Sequence, residues 1–173
     1  MLNVIMKGFM GITVDIEELK KMIRRHEGLR LSPYPCSKNH KTLGYGWNLD
    51  AHKLPRSIDA YLNINGEITK EMAEKLLDIS MDTAIRQAWD IFPQFGGFSE
   101  RRQAALVDVT FNMGSDKIVL EFPNFCKAVN DGDWNRAADE LMYVDGLKKD
   151  KLSAYWKQTR DRAKEVTKMI RFG

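Results

Sequence analysis

From Leu31 to Asp50 the chain has a texture found nowhere else in it. Pro33, Pro35 and Asn39 are followed by Thr42-Leu43-Gly44-Tyr45-Gly46-Trp47. Turn residues alternating with short runs of β-formers read as a small antiparallel sheet. On either side the patterning is helical, so the sheet has to be an insert in a mainly helical molecule. A helix is expected from about Asp15 to Glu27, capped by Thr13 or Asp15. Its Ile16, Leu19, Ile23 and His26 fall at helical spacing. Gly28 stands where helices commonly stop.

Beyond the sheet, residues 51 to 66 read as loop-rich, with a short helix around Ser57–Leu62. Thr69 is placed to cap a long helix running to about Ile91, with Met72, Leu76, Ile79 and Thr83 as its stripe. Pro93 and Gly96-Gly97 end it. Ser99 then caps a helix in which Ala104, Ala105, Leu106, Val107, Val109 and Phe111 are apolar nearly all round, the mark of a buried central helix. A helix entered through Pro123 follows, then one from Asp133 with Trp134, Ala137, Ala138 and Leu141 inward, and a last one from about Lys149 to Ile170. The expected fold is α+β, mainly α, in a single domain spanning residues 1–173. It has a small N-terminal lobe (about 28–75), an interlobe helix (about 69–91) and a helical C-terminal lobe (about 95–173), with helix 15–27 packed on the C-terminal lobe.

With 173 residues, 43% of them hydrophobic, the chain can bury one substantial core. A charged fraction of 29% with 10% aromatics reads as globular and not disordered. The net charge of +3 is unevenly spread: Lys148 to Gly173 holds nine Lys or Arg against three Asp or Glu. Such a face favours encounters with polyanions, and a solvated helix face is the plainer reading. Two cysteines, Cys36 and Cys126, are too few for a disulfide scaffold. The N-terminal stretch MLNVIMKGFMGITVD is apolar but short and interrupted by Lys7. It fits neither a signal peptide nor a membrane span, and so a cytoplasmic start and no stable membrane insertion are expected.

The residues that carry chemistry cluster around the sheet. Glu27 ends a helix, Cys36 follows after eight intervening residues, and Thr42 after five more. The spacing aims a thiol and a hydroxyl from a hairpin back at a carboxyl, which reads as an acid with a water-holding partner, hence a hydrolase. Burial favours the protonated carboxyl, so a partly shielded Glu27 suits the acid role. Gly28, Gly44 and Gly46 would let a bulky polymer approach the backbone closely. Trp47, just after the hairpin, is the best candidate for stacking on a sugar ring. His26, His40 and His52 form no metal-ligand spacing and no phosphate-binding glycine loop is present, so no cofactor and no metal are expected.

Several further segments point the same way. His26-Glu27-Gly28-Leu29-Arg30-Leu31 with Tyr34, Thr42-Leu43-Gly44-Tyr45-Gly46, and Ile68-Thr69-Lys70 through Leu77 come in that order. They are followed by Phe111-Asn112-Met113-Gly114, by Asn130-Asp131-Gly132-Asp133-Trp134 with Ala137-Ala138, and by Arg160-Asp161-Arg162-Ala163 with Glu165. Together they resemble the phage-type lysozymes, glycoside hydrolase family 24, over roughly residues 17 to 170. The resemblance implies a lysozyme-like fold and cleavage of the β-1,4 bond between N-acetylmuramic acid and N-acetylglucosamine in peptidoglycan. It implies Glu27 as proton donor, Thr42 as a holder of the attacking water, and Gly46, Trp47, Phe111 and Asn112 against the glycan. Arg162 resembles an arginine that approaches the acid. A cation there favours the ionised carboxyl, so its implied part is to orient Glu27.

Cys36 departs from the family's usual aspartate. A thiol with an ordinary pKa of about 8.5 is mostly protonated at neutral pH, although Lys38, His40 and Lys41 lie close in sequence. Three readings stay open: a working substitute that orients or deprotonates water and gives inversion, a thiolate nucleophile that gives retention, or a bystander. A lytic transglycosylase and a non-catalytic wall-binding protein are the alternative functions. The implied partners are peptidoglycan glycan strands and a holin that opens the way to the wall. No nucleic acid is expected to bind, and the protein is expected to be a monomer held in the host bacterial cytoplasm until release to the wall or periplasm.

Overall fold

A computed structural model describes residues 13–35 and 40–173. It is mainly helical with one three-stranded antiparallel sheet, the α+β class expected. The chain divides into two compact units, one of Ile16–Met81 and one of Asp82–Gly173 with the residues before Ile16.

In the first unit, helix α1 spans Ile16–Glu27, with Glu17 and Glu18 in its first turn and Arg24, Arg25 and His26 in its last. That order of charges complements the helix dipole. Leu19, Met22 and Ile23 are its buried apolar side chains, and Gly28, at φ +70°, ends it by donating its N–H to the Arg24 carbonyl. Strands β1 (Arg30–Pro35), β2 (Lys41–Gly44) and β3 (Trp47–Asn48) pair in chain order. Tyr34 stands opposite Thr42, and Leu43 opposite Trp47. Pro33 and Pro35 fit β1 because it is an edge strand, where a missing N–H costs least. Helix α2 spans Arg56–Asn65, longer than the short helix expected. It closes on Gly66, whose N–H returns to Leu62 O at 2.8 Å.

Helix α3, Lys70–Ile91, runs through the boundary between the units, and the Thr69 hydroxyl accepts the Met72 N–H as its cap. Its buried stripe is Ala73, Leu76, Leu77, Met81, Ala84, Ile85 and Ala88. The expected stripe was therefore one position out: Ile79 is exposed, as is Thr83, and only Leu76 is shared. Helix α1 groups with the sheet in the first unit. Charged pairs tie it to α3. Arg24 pairs with Glu74, and Lys20 pairs with Asp78, both on the first half of α3.

The second unit is built on α4 (Glu100–Met113), capped by the Ser99 hydroxyl and buried without interruption from Gln103 to Thr110. The Gln103 amide is fully employed. It accepts the N–H groups of Thr13 and Val14 and donates to Phe98 O. Helices α5 (Ser115–Glu121), α6 (Pro123–Asn130) and α7 (Trp134–Met142) follow. The expected last helix is two: α8 (Ala154–Thr159) and α9 (Asp161–Phe172). A β-bridge between Tyr143 and Leu152 holds the residues before α8 extended, and Ser153 caps α8. Arg160, at φ +40°, separates the pair. Helix α9 packs on α4 and α7.

Candidate active site

Glu27 is half-buried at the end of α1, and its carboxylate lies over the hairpin turn. A Cβ placed on Gly46 would stand 3.2 Å from Glu27 Oε2 and 3.6 Å from its Cδ. Gly46 also has φ +89°, so both the backbone angle and the carboxylate above it call for glycine. A Cβ on Gly44 at the other end of the turn would meet Ala73 Cβ at 3.5 Å.

The turn is held by a polar ring. Between the two glycines, Tyr45 is buried, and its hydroxyl donates to Glu74 Oε1 at 2.9 Å. Arg24, one turn before Glu27 on α1, clamps the same carboxylate, with Nε 3.1 Å from Oε1 and Nη2 2.6 Å from Oε2. Burial pushes the Glu74 carboxyl up, but the Arg24 and Tyr45 hydrogen bonds more than offset it and hold the group below its ordinary value. Tyr45 is raised, first by burial and then by its bond to Glu74, and Arg24 is raised by Glu74. In the sequence Tyr45 stands only as a turn residue, and no local pattern announces Arg24 or Glu74 as its partners.

Thr42 is buried in β2, and its hydroxyl donates to His40 O at 3.0 Å. With its proton so placed, the oxygen keeps lone pairs for a donor such as water. The strand itself is pinned by Asp50, whose carboxylate accepts the Lys41 N–H at 2.8 Å. Cys36 lies outside the described residues. Trp47 is 8% exposed, its indole N–H donates to His52 O, and the His52 ring packs on it at 62°. These contacts anchor it in the hairpin.

Glu27, Thr42, Gly46 and Trp47 thus fall in the first unit, while Phe111, Asn112 and Arg162 fall in the second. Phe111 and Asn112 are half-buried at the end of α4, before Gly114 at φ +77° stops it. The Arg162 guanidinium is buried on Asp108, with Nε 2.8 Å from Oδ1 and Nη2 3.3 Å from the Asp108 carbonyl. Asp108 was also missed, although a lone acid inside an otherwise apolar helix is itself a signal of a buried partner. A surface cavity in the second unit, lined by Phe122, Phe125, Glu140 and Tyr143 among others, includes none of these site residues. Among the described residues no group of three or more His, Cys, Asp or Glu is arranged to hold a metal ion, and no helix is long and apolar enough to cross a membrane.

A helix-end carboxylate thus lies over a glycine turn in a mainly helical α+β molecule. The chain belongs to the phage lysozyme family, whose model matches residues 24–165, and it is a glycoside hydrolase of that family. It is 32% identical over 123 residues to the endolysin of Acyrthosiphon pisum secondary endosymbiont phage 1, covering 70% of this chain and 73% of that protein. It is 28% identical over 169 residues to the pre-baseplate central spike protein Gp5 of Enterobacteria phage T4, covering 90% of this chain and 28% of that much longer protein.

Proposed function

We propose that the protein is an endolysin that hydrolyses the β-1,4 bond between N-acetylmuramic acid and N-acetylglucosamine. Glu27 protonates the leaving oxygen. A water held by Thr42 and Cys36 attacks the opposite face of the sugar, giving inversion. The observation that carries this reading is the Glu27 carboxylate over Gly46, which fixes an acid at the mouth of a hairpin instead of leaving it to swing in solvent. Thr42 supports it, because a hydroxyl whose proton is committed to His40 O serves an incoming water as acceptor. Phe111 and Asn112 as glycan contacts, and Arg162 as the orienter of Glu27, enter through the family resemblance. The protein is a monomer that waits in the host cytoplasm and depends on a holin to reach the wall.

The test is a substitution set assayed on purified peptidoglycan. Glu27→Gln is expected to abolish cleavage, Cys36→Ala to lose most of it, and Cys36→Asp to keep or raise it. Products should gain a water and emerge with inverted anomeric configuration. Anhydro-sugar products would replace hydrolysis with transglycosylation, and full activity in Cys36→Ala would remove the cysteine from the mechanism.

A further inference from the structure

Four residues around Glu27 close into a circuit. Arg24 and Glu27 share the last turns of α1, Arg24 holds Glu74 of α3 through two nitrogens, and Glu74 accepts the Tyr45 hydroxyl. Tyr45 is followed by Gly46, and the Glu27 carboxylate lies close against Gly46, which returns the circuit to α1. We infer that Tyr45, tied through Glu74 to Arg24, is a positioning residue for the acid: it sets where the hairpin turn lies under the Glu27 carboxylate. The inference rests on the reading of Glu27 as the proton donor.

Three observations support the assignment. First, the path is made of short bonds, with Tyr45 to Glu74 at 2.9 Å and Arg24 to Glu74 at 2.6 Å, and Tyr45 is only 6% exposed. Second, its polarity is fixed. Glu74 is held below the ordinary carboxyl value and so stays the acceptor, while Tyr45 is held above the ordinary phenol value and so keeps the proton it donates to Glu74. Lys20, itself paired with Asp78 and Glu17, adds a second cation that favours ionised Glu74. Third, a turn with glycine at both ends has little stiffness of its own, and Gly44 and Gly46 both sit at positive φ. The only large side chain in the turn is Tyr45, so the turn takes its position from where the Tyr45 ring and hydroxyl are fixed.

The experiment compares the wild type with Tyr45→Phe, Glu74→Gln and the double variant in the full chain. Reducing ends released from soluble bacterial glycan strands are followed across pH, and thermal midpoints are measured alongside. A misplaced acid lowers turnover more than binding. Tyr45→Phe is therefore expected to lose kcat on the order of tenfold, with KM within about twofold and the alkaline limb of the kcat/KM profile displaced. Glu74→Gln should do the same, and the double variant should lose little more than either, because the two groups act as one unit. The inference is overturned if Tyr45→Phe keeps wild-type kcat and pH profile. It is equally overturned if lost kcat returns in full on cooling below the variant's unfolding transition, or if the two losses multiply. Glu27→Gln separates the levels. An active Glu27→Gln brings down the acid assignment itself, whereas an inactive Glu27→Gln beside a normal Tyr45→Phe brings down only the circuit.

Discussion

At Gly46 two demands meet: a φ of +89° and a carboxylate oxygen 3.2 Å from where a Cβ would stand. Gly66 shares the first demand, at φ +75°, but has nothing within 4 Å of a built Cβ. The pair therefore separates backbone strain from displacement of the acid. Both Gly→Ala variants should lose about 1 kcal/mol of stability by chemical denaturation. Only Gly46→Ala should also lose activity, by at least about tenfold. Equal activity in the two variants would show that Glu27 does not depend on the turn. Thr42 gives a second comparison, because Thr42→Ser keeps an acceptor oxygen and Thr42→Val does not. The serine variant should hold most of kcat, and the valine variant should lose it on the order of a hundredfold. At this scale the sequence was legible in placing the end of α1 against the glycine turn, where Glu27 meets Gly46. Arg24 and Glu74 are fifty positions apart, and an ion pair at that separation leaves no periodic trace. The packing of Trp47 on His52 was not legible either, because an aromatic beside a hairpin looks the same whether or not a ring packs on it.

Among the elements, helix existence was readable from apolar spacing, but helix facing and helix ends were less so. The stripe on α3 was misplaced because Ile79, an apolar residue, points outward, and the alanines that face inward carry little hydrophobic signal. The break between α8 and α9 has no glycine or proline to announce it. Arg160 takes φ +40° and ψ −99° there, a backbone region that L-residues with side chains enter only at a cost of about 1–3 kcal/mol. Arg160→Gly should consequently raise stability by about 1 kcal/mol in urea unfolding, and a loss of stability would show that the arginine side chain outweighs the strain. The clamp between α1 and α3 makes a pH prediction. The Glu74 carboxyl is held below its ordinary value of 4.5, so it stabilises the folded state above that pH. The contribution is lost as pH falls through the lowered folded value. The thermal midpoint of the wild type should therefore drop more steeply on acidification below that ordinary value than the midpoint of Glu74→Gln. Parallel curves would remove the clamp from acid stability.

For the molecule as a whole, the fold class was legible because one helix is apolar all round and one short stretch is not helical at all. The split into units was less so, because the partners α1 finds on α3, Glu74 and Asp78, lie fifty or more positions away in sequence. Global stability in the larger unit turns on α4, buried from Gln103 to Thr110, with one ionised pair at its centre. Asp108 is fully buried and Arg162 is 8% exposed, and the two join α4 to α9. Tyr155 of α8 feels the same charges: burial and then the Asp108 carboxylate push its phenol up, and Arg162 draws it down. Two opposed terms apply to such a pair. Desolvation makes its net contribution small against an apolar replacement, yet removing one partner leaves the other charge buried and alone. Asp108→Ala should then cost about 3–5 kcal/mol, lowering the thermal midpoint by on the order of 10 °C in a chain of this size. Asp108→Leu combined with Arg162→Met should recover most of that loss, since it removes both charges and refills the volume. A double variant no more stable than Asp108→Ala would show that the pair itself, and not the stranded guanidinium, holds α9 on α4.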